Sequence, residues 1–399
     1  MRENNKTLLC LPLILALAIF TFISCFAIKS ATPLIQYPGP EGYWLKQLIF
    51  YAIATGLMLF VYRFGNDRIY SATWIAYGIL IVFLVGLVIE RFATAKFGIS
   101  IIPLVKNING ATSWYKLPGF DFQPSEFMKI VLIITLSKVI HDHNNKYLTH
   151  TFSSDCLMLG KVLGLTLPPC ILIYLQNDAG VTLIILASVV FILFVSGLQA
   201  RWFVVGGIIV GAILIIGALL FVFKHDLFAS ILGGDHKLGR FYGWVDPEGT
   251  YSNQGYQLFN ALMAYGTGGW FGHGFGSAVI VFPEAHTDFI FAVIAQGFGF
   301  VGGMVTIGAI AYFDFVLLRI GMRAKNDQDK YFVAGIFGML IFQQIWNISM
   351  VLGLVPITGI TIPFISYGGS SLLSYMIAMG IFLDIEKQTR IVERKNRYL

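Results

Sequence analysis

Residues 283–291 read PEAHTDFIF, and the run continues as AVIAQGFGF to residue 300. Glu284, His286, Thr287 and Asp288 stand together where a polar loop enters a long, mainly apolar stretch. A helix crosses a bilayer core of roughly 30 Å in about 20 apolar residues, and residues 288–313 meet that length. Asp288 therefore marks a membrane boundary, and the rest of the chain can be measured with the same ruler.

Applied outward, that ruler finds ten spans, near 8–28, 45–62, 71–89, 124–140, 159–175, 179–197, 202–223, 288–313, 331–355 and 362–385. Composition agrees: of 399 residues, 57% are hydrophobic and 12% charged, with a mean hydropathy of +0.75. That is about half the charge of a soluble domain. The expected fold class is an all-α polytopic membrane protein with a large extracytoplasmic loop, 224–287, between the seventh and eighth helices. The first span follows Arg2 and Lys6 as a signal peptide would, but no small-residue cleavage pattern follows it, so it reads as an uncleaved helix.

Lys and Arg placement sets orientation. With the N-terminus inside, the inner segments carry seventeen Lys and Arg and the longer outer segments nine. Both termini are expected in the cytoplasm, with 386–399 as a short basic tail on a single membrane domain, 1–399. The net charge of +6 reflects this topology and implies no nucleic acid partner. Cys10, Cys25, Cys156 and Cys170 lie in spans or just inside them with no C-x-x-C, which argues against disulfides and a zinc site.

Two outer segments exceed simple connectors, 90–123 and 224–287. The second is rich in aromatics and glycine and reads as a folded cap, with GYQLFNALMAYG (255–266) at helical spacing as an interfacial helix.

Several charges sit where apolar residues belong. In QPSEFMKI, Pro124 suits a first helical turn, which puts Glu126 and Lys129 on one face, i,i+3, near the outer end of the fourth span. A structural ion pair and a polar cavity for a charged ligand are both consistent with that placement. Asp178, in QNDAG, reads as a solvated turn or an N-cap. His141 and His143 flank Asp142, but i,i+2 spacing sends the imidazoles to different sides of a helix. Asp288 falls in the first turn of its helix, where the dipole alone accommodates a carboxylate. Its neighbours Glu284 and His286 suggest more, a partly shielded carboxylate with a raised pKa, suited to general base work. ISYGGSS (365–371) offers N–H and hydroxyl donors from Ser366, Gly368, Gly369 and Ser370 at a helix start, a setting for phosphate.

Three stretches, NGATSWYKLPGFDFQPSEFMKI, PEAHTDFIFAVIAQGFGFVGG and GLVPITGITIPFISYGGSSLL, together resemble the SEDS family of bacterial cell-wall polymerases (RodA, FtsW and SpoVE), over residues 8 to about 390. SWYKLPGF, QPSEFMK and PITGI look most like the RodA branch, which serves elongation. The resemblance implies a glycosyltransferase that polymerises lipid II on the outer face of the cytoplasmic membrane, inverting the anomeric carbon. It also implies that Asp288 is the essential carboxylate, that Trp114 matters, and that Glu126 and Lys129 line a central cavity. Lys129, Lys237, Arg240 and the SYGGSS segment are unranked candidates to stabilise the pyrophosphate. A divalent cation (Mg or Mn), a class B penicillin-binding protein and the elongation machinery are the implied cofactor and partners; no ligand set for the cation is visible.

The pattern departs from the family twice. Gln296 and Gly297 stand where relatives carry two acids, and NDAGV (177–181) where they read Pro-Asp-Leu-Gly-Thr. The competing functions are a lipid II flippase and a non-catalytic paralogue that scaffolds a penicillin-binding protein. The outward concentration of polar residues argues against the flippase.

Overall fold

Backbone N–H and C=O groups find no water inside a bilayer, so long apolar runs resolve as helices whose bonds are internal. The computed structural model describes residues 10–35, 39–108, 110–224, 227 and 235–397; Arg2 and Lys6 lie outside these. Twelve α-helices occur among them: α1 (Leu11–Ser30), α2 (Tyr43–Phe64), α3 (Asn66–Phe97), α4 (Pro124–Lys146), α5 (Phe152–Tyr174), α6 (Ala179–Val195), α7 (Ala200–Phe223), α8 (Asp235–Val245), α9 (Tyr256–Thr267), α10 (Ile290–Arg323), α11 (Asp327–Val351) and α12 (Gly369–Arg397). Eight are long and apolar enough to cross a membrane, namely α1, α2, α3, α5, α7, α10, α11 and α12. The 17-residue α6 is the shorter apolar helix, and α4 carries Glu126, Lys129 and Lys138 through its length.

Helix ends overrun the apolar windows because polar residues continue a helix into water. α3 has 32 residues, and α12 continues through the basic tail to Arg397. The bundle core is made by α12 against α2, α11 against α6, α4 against α3, and α1 against α10. No residue of α7 is buried.

The all-α expectation needs one addition. The segment before α4 forms a three-stranded antiparallel sheet, β1 (Val105–Ile108), β2 (Ala111–Leu117) and β3 (Phe120–Phe122), in the order β1-β2-β3. Gly110 and Gly119, between the paired strands, take φ of 79° and 78°, as tight hairpin turns require. Tyr115 packs this sheet onto α3, its hydroxyl donating to Phe83 O at 2.8 Å.

Two breaks in regular structure shape the end of the bundle that carries the cap loop. α10 is interrupted at Gly299 (φ 63°, ψ −157°), where a Cβ would collide with the backbone of Trp270–Gly272 at about 2.5 Å. The cap loop is stitched into this gap by His273 N to Gln296 O (2.9 Å), Gly274 N to Gly297 O (2.9 Å) and Phe300 N to Gly269 O (2.9 Å). The helical reading of 255–266 holds as α9, one residue later, whose Tyr265 and Gly266 wall an apolar hollow of ≈ 330 Å³ with Trp270 and Phe300.

The other break is the non-helical stretch from Gly353 to Gly368, which precedes α12. The last helix thus starts at Gly369 rather than 362. Irregular backbone in an apolar interior must be bonded by side chains, and here α1 and α2 supply them. Tyr51 Oη donates to Phe364 O (2.6 Å), Ser24 Oγ to Ile365 O (2.8 Å), and Gln47 Nε2 to Ser366 O (3.2 Å).

Candidate active site

The turn leading into α10 is wound around one carbonyl. Glu284, a non-glycine residue at φ 55°, offers its C=O to Thr287 N (3.2 Å), Phe289 N (3.2 Å) and Thr287 Oγ1 (3.2 Å). Thr287 Oγ1 also donates to Glu284 Oε2 at 2.8 Å. The geometry corrects the expectation that Asp288 lies in the first helical turn: α10 begins at Ile290, its N-cap is Phe289, and no side chain caps it. Capping therefore does not account for Asp288.

Asp288 is fixed by its backbone instead. Asn347 Nδ2 donates to Asp288 O at 2.7 Å and to Ile360 O at 2.6 Å, tying the turn to α11 and to the loop before α12. Gly359 (φ 73°) backs the carboxylate, since a Cβ there would stand 3.4 Å from Oδ2. The carboxylate is half-buried and takes no hydrogen bond among the described residues. Burial pushes its pKa up to about 7; Glu284 adds to the rise, the Arg240 guanidinium opposes it, and Asp178 raises it further. A carboxylate so placed exchanges protons near neutral pH, as a general base must.

Asp178 belongs to this group, which the reading of it as a solvated turn did not foresee. It caps α6, with Oδ1 accepting from Val181 N at 3.1 Å, while Oδ2 accepts from Gln123 Nε2 at 3.0 Å. Burial pushes its pKa up to about 6, and Glu126 and Lys129 act on it with opposite signs. The electrostatic line thus runs from Asp288 through Asp178 to the α4 pair. The chain separation of 110 residues hid this; only the cap pattern was legible.

Glu126 and Lys129 form the expected pair, 3.0 Å apart and 9% and 1% exposed. Lys129 Nζ also donates to Tyr375 Oη at 3.4 Å, and Tyr375 donates to Gln343 Oε1 at 2.7 Å. His286 is buried among Tyr43 and Tyr367, ring centroids 5.1 and 5.5 Å away. Burial lowers its pKa, against the pull of Glu284.

The phosphate cradle expected of SYGGSS is not what the donors form. Ser366 Oγ donates to Thr287 O (2.8 Å) and accepts from Ile362 N (3.0 Å). Gly368 N donates to Gln47 Oε1 (3.3 Å). Ser370 Oγ donates to Asp121 O (2.6 Å) and accepts from Gln123 N (3.0 Å). Gly369 lets α12 close on Phe50 and Phe120, whose rings a Cβ would meet at 3.1 Å. These groups hold the loop, the sheet and α12 together.

Of the remaining candidates, Arg240 bears on Asp288, and the side chain of Lys237 lies outside the described residues. Trp114 is half-buried on β2 opposite Lys106, with no hydrogen bond or ring contact to the Asp288 group among the described residues. Gln296 lies turned away from Asp288: Oε1 accepts from Ile280 N (3.1 Å) and Nε2 donates to Ser277 O (3.1 Å), a clamp on the cap loop. Asp314, an acid within α10 passed over in the sequence, accepts from Gln344 Nε2 at 3.1 Å.

The comparisons with known proteins follow the same architecture. Residues 6–391 match the family model described as "Cell cycle protein", which covers FtsW, RodA and SpoVE. The chain belongs to the SEDS family. A relative in Enterococcus hirae, "Probable peptidoglycan glycosyltransferase FtsW", is 29% identical over 96% of this chain and 92% of its own. The "Stage V sporulation protein E" of Bacillus subtilis is 32% identical over 71% and 73%. Two solved structures share the fold at 24% identity. One is reported under "Structural coordination of polymerization and crosslinking by a peptidoglycan synthase complex" (TM-score 0.73, 96% and 98% covered), the other is the Thermus thermophilus rod shape determining protein RodA (TM-score 0.64, 97% and 99%). This SEDS protein is accordingly a multi-pass membrane protein.

Proposed function

We propose that this SEDS protein is a peptidoglycan glycosyltransferase that polymerises lipid II at the outer face of the cytoplasmic membrane, with Asp288 as general base. The observation that carries the reading is the carboxylate itself: half-buried, uncapped, without a hydrogen bond among the described residues, and brought to about 7 beside a guanidinium. The names of the Enterococcus and other relatives support the reaction class.

The donor sugar is α-linked to pyrophosphate and the product is β-linked, so one in-line displacement suffices. The acceptor 4-hydroxyl oxygen bonds to the anomeric carbon as the C–O bond to pyrophosphate breaks. The bonding pair leaves with undecaprenyl pyrophosphate, and the hydroxyl proton passes to Asp288. Such base catalysis supplies roughly 10²–10⁴-fold. Arg240 is the best-supported residue to meet charge on the leaving pyrophosphate, because Lys129 already neutralises Glu126. The described residues offer no group of three His, Cys, Asp or Glu able to hold a metal ion, so their side chains alone do not fit the expected divalent cation.

The Lys and Arg asymmetry supports cytoplasmic termini and an outer Asp288. The partner in this reading is a class B penicillin-binding protein, supported by a fold neighbour reported as a complex that coordinates polymerization and crosslinking. The RodA-like wording of residues 113–129 supports an elongation role.

The test is polymerisation of lipid II by the purified protein with such a partner and magnesium, comparing wild type and Asp288→Asn. Glycan chains from the wild type alone support the reading. Chains from both move the base elsewhere; chains from neither, with partner binding intact, favour the scaffolding role.

A further inference from the structure

Four buried tyrosines donate their hydroxyls to protein acceptors: Tyr51 to Phe364 O, Tyr70 to Asp329, Tyr115 to Phe83 O and Tyr375 to Gln343. Tyr43, at the start of α2, and Tyr367, in the loop before α12, do not. Both are half-buried, and neither hydroxyl has a hydrogen bond among the described residues. Their rings are nevertheless held firmly. They meet edge to face at 5.0 Å and 61°, His286 closes the corner behind them, and Phe50 lies 6.3 Å from Tyr367. Tyr367 N donates to His286 O at 2.9 Å, which places the corner two residues from Asp288. Lys46 hangs over the Tyr43 ring at 5.5 Å.

What fits there is constrained from three sides. A lipid chain would cover free phenol hydroxyls without bonding them, at a cost of about 1–3 kcal/mol each. A phosphate would meet one cation, Lys46, against two acids, because Glu284 and Asp121 act electrostatically on Tyr43, and Asp121 on Tyr367. A sugar ring has an apolar C–H face for the aromatic rings and hydroxyl edges for phenols and carboxylates.

We propose that Tyr43 and Tyr367, backed by His286, form a corner in which a pyranose ring of the sugar substrate stacks beside Asp288. This rests on the transferase reading above and names the part of the substrate that the corner holds. The rings bind and orient the sugar; they exchange no proton with it. Because such contacts form equally in the ground and transition states, they act on KM rather than kcat.

Saturation-transfer NMR on the full-length purified protein, with N,N′-diacetylchitobiose as the probe, tests the corner directly. The wild type is expected to saturate the pyranose C–H protons. Tyr367→Ala should weaken binding about tenfold, and Tyr43→Phe with Tyr367→Phe about threefold, with KM for lipid II rising in step and kcat nearly constant. Equal binding by wild type and Tyr367→Ala overturns the proposal. Should the alanine variant fail to fold, Tyr367→Leu, which keeps the bulk but removes the aromatic face, decides in its place: unchanged affinity overturns the proposal. A wild type that binds chitobiose in a ring-dependent way yet makes no glycan supports the corner and sinks the transferase reading. Polymerisation indifferent to both tyrosines sinks the corner and leaves that reading intact.

Discussion

The two ends of this bundle use the same residue types in opposite ways. At the end where α3, α10 and α12 meet, charges are matched. Arg323 reaches Glu386 at 3.0 Å and Glu393 at 2.7 Å, and Arg390 reaches Glu386 at 2.7 Å. Asp384 accepts from Asn66 N and Gln388, and Tyr70 donates to Asp329 at 2.8 Å. At the other end, Asp288 is held by its backbone while its carboxylate accepts nothing among the described residues. Matched charge fixes helices in register; charge left unmatched beneath partial cover keeps a proton near its balance point and is available for chemistry.

The sharpest break of that contrast is Asp288→Asn. The base is lost while shape is kept, so polymerisation should fall by roughly 10²–10⁴-fold. Stability should not fall with it. A carboxyl whose folded pKa lies above its unfolded one stabilises the fold below the unfolded value and loses that contribution as pH rises towards 7. The amide escapes that loss, so thermal unfolding at pH 8 should show the variant equal to or more stable than wild type.

The buried α4 pair predicts the reverse. Lys129→Ala strands Glu126 at 7% exposure, a loss of about 3–5 kcal/mol in unfolding free energy. The double change Glu126→Gln with Lys129→Met removes both charges and should recover most of that stability. If it recovers polymerisation as well, the pair is only structural; continued inactivity assigns it to the substrate.

Gln296→Glu restores an acid of the kind expected from relatives and should weaken the cap by about 1–3 kcal/mol, since the Ser277 carbonyl would face a carboxylate in place of a donor. Faster hydrogen exchange confined to residues 269–280 is the expected signature. Unchanged exchange there would mean the clamp is dispensable.

Glu284→Gln and Arg240→Ala sharpen the comparison without destroying either end. Activity that needs ionised Asp288 rises with pH through about 7. Removing the like charge of Glu284 lowers the Asp288 pKa and moves the acid limb of the rate profile to lower pH. Removing Arg240 moves it upward. Shifts in the same direction for both would show that the limb reports another group.

The legible and illegible parts of the molecule divide along the same physical line. Apolar length exposed the spans, and an acid at the mouth of one of them exposed Asp288. Contacts that depend on distant segments stayed hidden: Asp178 meets the α4 pair only because Gln123 and the β2 edge, through Thr112 N to Gln176 O at 3.2 Å, hold its turn. The sheet was not legible, although Pro118-Gly119 is a turn pair between short β-prone runs, because those runs stand in an otherwise apolar, helix-forming chain. The SYGGSS donors looked free because the chain does not reveal that Ser24, Gln47 and Tyr51, more than 300 residues earlier, belong to the same web.

The smallest effect tests whether matched charge at the α12 end is held in reserve. Arg323 divides its fork between Glu386, 2% exposed, and Glu393, 38% exposed. Burial makes the first contact expensive to break and solvent makes the second cheap, because an exposed pair is worth about 0.2–1 kcal/mol once screening and side-chain entropy are counted. Glu393→Ala should thus change unfolding free energy by a few tenths of a kcal/mol, and less in high salt. Glu386→Ala should lose several times more, because it leaves both Arg323 and Arg390 short of a partner. Equal losses would mean that the end of α12 is as rigid as its middle, and that the helix through the basic tail is bound rather than merely continued.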